Sequence, residues 1–210
     1  MSQEPKILSL EDLDTADAKW VSLKKIHWQD QEGKKRVWEA AQRRTRGASG
    51  IDAVAILALI HSKTKAFPVS TIIVEQFRPP VDKFVVELPA GLIDANETPE
   101  QAAIRELEEE TGFVSDTVLD STPLLVSDPG MSTANMKMVT LNVTLADALE
   151  YPEQKLDAGE SIVRRVVALK DLYEDLKGYE RKGYVVDARL SHLAAGFDLS
   201  ERLRAGTIPS

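Results

Sequence analysis

The segment from Gly91 to Phe113 constrains the fold more than any other, because it holds a helix with boundary signals at both ends. Thr98 is a good N-cap, Pro99 suits the first helical position, and Gln101 completes a capping box with Thr98. Gly112 fits the left-handed position just past the helix end. At roughly 100° per residue, Ala103, Ile104 and Leu107 share one face, which should pack on a sheet. Glu106 and Glu110 stack one turn apart with Glu109 beside them, while Glu108 points elsewhere, towards solvent. Like charges at this spacing disfavour a helix by roughly 0.2–0.5 kcal/mol per pair. They also sit near the end of the helix where the dipole prefers cations. A hard divalent cation would resolve the conflict, since it takes carboxylate and phosphate oxygens. For an arbitrary acidic helix a plain solvated glutamate face would be the better reading, and it is the flanking residues that favour the cation here.

The rest of the chain reads as many strands with few helices. Residues 1 to about 18 form a polar arm. Apolar residues roughly alternate from Trp20 to Trp28, a turn follows over Gln29 to Lys34, and a second strand-like run covers Lys35 to Thr45. Arg46-Gly47-Ala48-Ser49-Gly50 is a hinge-like break, placed here as a domain boundary. Strands are predicted at Ala53 to Ile60, Thr71 to Phe77, Phe84 to Leu88, Thr117 to Val126, Lys137 to Leu145 and Val163 to Leu169. Helices are predicted at Pro99 to Thr111, Asp171 to Lys182 and Asp187 to Ala205. The pattern is α+β, a mixed αβα sandwich over 51–210 preceded by a small β module over 1–50. That module is too small for a core of its own, so it is expected to pack across a two-fold axis in a homodimer.

Composition removes several alternatives. There is no cysteine, which excludes a disulfide scaffold, a thiolate zinc site and a cysteine nucleophile. The net charge of -8 argues against a general binder of nucleic-acid backbone. The start is acidic and polar, unlike a signal or transit peptide, and the longest apolar stretch, Ile51 to Ile60, is too short to span a bilayer. The expectation is a soluble protein of the cytoplasm or nucleus, without nucleic-acid or membrane partners.

The helix and the loop before it fit Gly-x5-Glu-x7-Arg-Glu-U-x-Glu-Glu-x-Gly-U, with U apolar. The fit uses Gly91, Glu97, Arg105, Glu106, Leu107, Glu109, Glu110, Gly112 and Phe113, nine constraints over 23 residues. This resembles the Nudix box of the Nudix hydrolase family. The resemblance implies an α/β/α sandwich with a mixed sheet. It also implies hydrolysis of a nucleoside diphosphate linked to another moiety, with Mg²⁺ (Mn²⁺ able to substitute) held by Glu106, Glu109 and Glu110. Glu97 and Arg105 would form a supporting pair that positions loop and helix.

Further segments resemble the ADP-ribose and ADP-sugar pyrophosphatase branch of that family, and its eukaryotic homodimeric members above all. They are Trp20-Val-Ser-Leu, Trp38-Glu39 with Arg43-Arg44-Thr45-Arg46, Glu75-Gln76-Phe77-Arg78-Pro79-Pro80, Glu87-Leu88-Pro89-Ala90-Gly91-Leu92-Ile93-Asp94, and Ser127-Asp128-Pro129-Gly130-Met131-Ser132. The resemblance implies that Trp38 and the partner's Trp20 sandwich an adenine and that Glu39 contacts the substrate. Arg43 and Arg78 would bind the diphosphate, Asp128 would reach the terminal ribose of the partner's substrate, Leu92 would line the pocket, and the Ala90 carbonyl would ligate metal. Leu156-Asp157-Ala158-Gly159-Glu160 aligns with a loop carrying a catalytic or metal-binding glutamate, which makes Glu160 the candidate, although Ser161-Ile162-Val163-Arg164-Arg165 departs from the more acidic and apolar stretch expected next. Simpler roles stand beside these: core or interface tryptophans, a nucleic-acid patch over Lys34 to Arg46, a structural turn at Arg78, an exposed loop acid at Glu160. Another ADP-sugar, an oxidised nucleoside diphosphate, or a silent ligand sensor are the alternative functions. His27, His61 and His192 match no motif.

Overall fold

The computed structural model describes residues 4–207. The first two strands, β1 (Val21–Gln29) and β2 (Lys35–Arg43), form an antiparallel hairpin. A nine-stranded sheet follows. Its strands are β3 (Ala53–Ser62), β4 (Ser70–Arg78), β5 (Lys83–Glu87), β6 (Ala90–Leu92), β7 (Thr117–Ser121), β8 (Leu125–Val126), β9 (Asn135–Leu145), β10 (Val163–Ala168) and β11 (Val185–Val186). Among the described residues there are three α-helices, α1 (Pro99–Thr111), α2 (Leu172–Glu180) and α3 (Ala188–Arg204), and one 3-10 turn at Pro79–Val81. Among the described residues no helix is long and apolar enough to cross a membrane.

The sheet is mixed: β3 runs parallel to β9 and β11 parallel to β5, and the other pairings are antiparallel. β3 reads as an unbroken apolar run because it is central and both its faces are covered. Neighbouring residues of β4 show the two faces directly. Ile72 packs with Ala102, Ala103 and Leu107 of α1, whereas Ile73 packs with Leu172 and Leu176 of α2 and Leu190 and Ala194 of α3. One helix on one face and two on the other make the expected α/β/α sandwich.

The helices lie where the sequence places them, and α1 has the predicted capping box and a left-handed Gly112 at φ 75°. Two strand expectations need correction. Thr117 to Val126 is not one strand: the register shifts between Val118 and Asp120, and the chain leaves the ladder before β8. Pro123 sits in that gap, and without an N–H it cannot extend the ladder. β6 and β11 were not foreseen, since two or three residues carry no periodicity.

The break at Arg46 to Gly50 is bridged. Arg46 donates to both oxygens of buried Asp52, 2.8 Å each, and also to the Thr133 carbonyl. The Asp52 carboxylate also accepts from the Asn135 N–H at 3.0 Å. Burial works to raise the Asp52 pKa, but Arg46 and that N–H outweigh it and hold the carboxyl below its usual range. The hairpin is tied to the same region, because Ala41 N–H donates to Met131 O and Thr133 N–H donates to Ala41 O. Part of the polar arm folds back as well: Ala18 is buried, and Arg44 donates to Thr15 O at 2.7 Å.

Candidate active site

β6 pairs with the start of β3, Gly91 opposite Val54, and α1 packs on both strands. Between these elements and the loop after Leu156 lies a cleft of about 520 Å³, ample for a nucleotide-sized ligand. β6 lends it Ala90 and Leu92, α1 lends Arg105, Glu106, Glu109 and Glu110, and the loop lends Asp157 and Glu160. A cavity of similar size at His61, Phe67 and Val69 has no carboxylate on its wall and lies at the other end of β3.

Gly91 explains how a glutamate fits against a strand. A Cβ there would come within 1.8 Å of Glu106 Cδ, so a larger residue would expel the carboxylate from its place over β6. Glu110 is deeper, only 4% exposed, and its Oε2 accepts from the Ala90 N–H at 3.1 Å. Burial pushes its carboxyl up to about 8; the Ala90 N–H opposes that, and Glu106 and Glu160 add to it. Burial also raises Glu106, against the pull of Arg105.

Arg105 is the latch of the site. Its Nε and Nη2 donate to the two Glu97 oxygens at 3.0 and 2.9 Å, and Nη1 donates to Glu106 at 2.8 Å and Glu109 at 2.9 Å. Nη2 also reaches the Leu92 carbonyl at 3.0 Å, which ties the loop before α1 to the helix. The Arg105 guanidinium holds the Glu97 carboxyl below its usual range. Glu97 thus backs the cleft through Arg105 instead of lining it.

The donor set is all oxygen, as a hard divalent cation requires. No Lys or Arg among the described residues forms a salt bridge with Glu110, which leaves a buried acid beside Glu106 and Glu160 without a direct counterion. That is the deficit a cation fills. Among the described residues no three acids already stand at ligand spacing, and Arg105 draws Glu106 and Glu109 to its side.

The NUDIX domain family matches residues 52–188. The chain belongs to the Nudix family. It is 46% identical over 195 residues to an uncharacterised Nudix hydrolase of Schizosaccharomyces pombe, covering 92% of this chain and 93% of that one. It is 36% identical over 190 residues to a protein of Saccharomyces cerevisiae named ADP-ribose pyrophosphatase, covering 90% and 81%. It is also 38% identical over 146 residues to a Mus musculus protein named ADP-sugar pyrophosphatase, covering 69% and 66%. A solved structure described as an ADP compounds hydrolase aligns with TM-score 0.58 over 95% of this chain and 96% of that one; at 19% identity it speaks for the Nudix fold alone.

The remaining predicted site residues of this Nudix chain do not line the cleft, although the Arg78 charge is felt by Glu110 and works against burial to lower its pKa. Arg78 is half-buried and paired with Glu87 through Nε at 2.6 Å and Nη2 at 3.1 Å, so most of its guanidinium is committed within the protein. Trp38, Glu39 and Arg43 lie on β2, with successive side chains on opposite faces. Trp20 precedes β1 and is 67% exposed; Trp38 is 50% exposed and donates Nε1–H to the Gly130 carbonyl at 3.0 Å. Asp128 lies in the loop that Trp38 touches. None of Trp20, Trp38, Glu39, Arg43 and Asp128 is among the residues that line the carboxylate cleft.

A strap missed by the sequence reading closes the other end of α1. The last helical carbonyls need partners from outside the helix. Glu109 O accepts from Lys155 N–H at 2.8 Å, Glu110 O from Gln154 Nε2 at 2.5 Å, and Thr111 O from Arg164 Nη1. Glu108, expected to point towards solvent, pairs there with the exposed Lys155 Nζ at 2.5 Å. The strap supplies the cations that the negative helix end favours. Gly112 permits the close crossing, since a Cβ there would lie 2.5 Å from the Glu153 carbonyl.

Proposed function

We propose that this Nudix enzyme hydrolyses the diphosphate bond of ADP-ribose, giving AMP and ribose 5-phosphate, with Mg²⁺ as its cation and Mn²⁺ able to replace it. One observation carries the proposal: Ala90, Glu106, Glu109, Glu110 and Glu160 gather around one nucleotide-sized cleft, in a chain whose relatives bear the names ADP-ribose and ADP-sugar pyrophosphatase. Ala90 O and the glutamates would hold the cation, which offsets diphosphate charge and acidifies a bound water.

The chain's own groups do the rest. Arg105 and Glu97 keep the acids of α1 in register with β6. Glu160, at the open side of the cleft, takes the proton from the attacking water as its oxygen bonds to phosphorus. The bridging P–O bond breaks, and the departing phosphate leaves with its electron pair. Arg78 can reach the diphosphate only by sharing its guanidinium with Glu87. Another ADP-sugar or an oxidised nucleoside diphosphate would use the same chemistry. A silent sensor has no need for the intact set Glu106, Glu109 and Glu110.

The substrate-recognition half of the proposal requires a homodimer. Ser22 and Ala40 are buried on one face of the hairpin, but Ile26, Trp28 and Trp38 on that same face stand exposed, as do Val21, Leu23 and Val37 on the other. A second copy packed against the hairpin would bring its own Trp20 to the adenine held by Trp38, which lies on the Ala40 face, with Glu39, Arg43 and Asp128 contributing to the nucleoside pocket. Steady-state kinetics of Trp38→Ala and Trp20→Ala on ADP-ribose test this, with sedimentation to report assembly. Each variant should lose about 1–3 kcal/mol of binding, seen as a KM raised roughly 5- to 150-fold with kcat nearly kept. Wild-type KM in both variants, or full activity in a monomer, would make the rings structural and remove the adenine sandwich.

A further inference from the structure

The acids on α1 are fixed by a helix, but Glu160 is not. It lies in an exposed loop between Lys155 and Ile162, around Gly159 at φ 93°. Such a loop places a carboxylate reproducibly only if its ends are pinned. Within the loop, Glu160 N–H donates to Asp157 O at 3.0 Å, and Glu160 Oε2 accepts from Asp157 N–H at 3.1 Å. This reciprocal pair fixes the turn but not its position against α1.

Gln154 supplies that position. Its Nε2 donates to the Glu110 carbonyl at 2.5 Å and to the Ile162 carbonyl at 3.1 Å. One amide group therefore joins three points: the entry to the loop, its exit, and the backbone of the residue whose carboxylate lies deepest in the cleft. Lys155 N–H, bonded to Glu109 O, seats the entry on the neighbouring helical carbonyl. The amide is the simplest neutral side chain able to bridge two carbonyls with one nitrogen.

We infer that Gln154 is a positioning residue that closes the loop over 155–161 and so sets the reach of Glu160 into the cleft. The inference rests on the proposed role of Glu160. Gln154 acts on kcat through Glu160, and helix capping alone does not account for its contacts, because the bond to Ile162 O lies outside the helix.

A double-mutant cycle separates these roles. Gln154→Glu keeps the shape and removes both donors; Gln154→Met removes them without adding charge and serves where the first variant folds poorly, with melting curves run on all variants. On ADP-ribose with Mg²⁺, either substitution should lower kcat about tenfold or more with KM within about twofold. In the Glu160→Gln background the same substitution should change kcat less than about twofold, because the loop then has no proton acceptor to place. If Glu160→Gln is impaired but the Gln154 substitutions leave kcat intact, or cost the same factor in both backgrounds, the inference fails and the role of Glu160 survives. If Glu160→Gln keeps wild-type kcat, both fall.

Discussion

Glu110→Gln should abolish most turnover and yet make the metal-free protein harder to unfold. The carboxylate is nearly fully buried, lies beside Glu106 and Glu160, and its carboxyl is pushed up to about 8 by that burial. A group whose folded pKa lies above its unfolded value favours the fold when protonated, and that contribution is lost as pH rises towards the folded value. The amide of the Gln variant is neutral at all of these pH values and can still accept from the Ala90 N–H, so the Tm without metal should rise at neutral pH. The same change removes an anionic oxygen from the proposed cation site. Loss of groups that only support a metal's ligands costs 10–100-fold, so loss of a ligand should lower kcat/KM by at least about a hundredfold. Glu106→Gln should show a similar fall in activity. The checks are steady-state rates with Mg²⁺ and melting curves in chelator. Full activity in either variant would remove these acids from the cation site, and an unchanged or lower metal-free Tm for Glu110→Gln would refute the burial account.

Arg46→Met should be the most damaging change far from the carboxylates. The guanidinium bridges the hairpin side of the chain to Asp52 at the head of β3 and to the Thr133 carbonyl. Its removal leaves Asp52 buried and without its counterion, which typically costs about 3–5 kcal/mol, or on the order of 10 °C in Tm for a chain of this size. The sign of the pH dependence is diagnostic. With Arg46 present, the folded Asp52 pKa is low, so its stabilisation is present at neutral pH and lost as pH falls through that value. In Arg46→Met burial pulls the other way, and the deficit relative to wild type should shrink in acid. Adding Asp52→Asn should restore part of the stability at neutral pH. A deficit that does not vary with pH would mean that lost packing, not an unpaired charge, is responsible.

What could be read from the chain was local. Thr98, Pro99, Gln101 and Gly112 act within a turn of themselves, so the bounds of α1 were legible to the residue, and with them the ridge of Glu106, Glu109 and Glu110; its buried face was not, since Ile104, expected against the sheet, is exposed and Ala102 is buried instead. The strands β3 and β4 showed as apolar runs because both their faces are covered, and β9 showed as an alternation whose apolar side packs in the core with α1. The contacts that shape the site were not legible, since their partners are far apart in sequence. Arg46 meets Thr133, Gln154 meets Glu110, and Arg78 turns to Glu87 across a β-pair. Gln154 itself had no signal: a single polar residue between Glu153 and Lys155 is indistinguishable from surface. The pattern did contain Gly91, and its physical reason, the Glu106 carboxylate lying where a Cβ would be, appears only once β6 and α1 are packed together. The adenine pocket was named only through family resemblance.

The most direct test of the account is product identification from purified protein offered a panel of nucleoside diphosphate derivatives, including ADP-ribose, other ADP-sugars and oxidised nucleoside diphosphates, with Mg²⁺ and with excess chelator. The account predicts that ADP-ribose is turned over with the highest kcat/KM, that AMP and ribose 5-phosphate appear in equal amounts, and that chelator stops the reaction. Turnover that persists in chelator, products other than these two from ADP-ribose, or no turnover of any compound in the panel would contradict it.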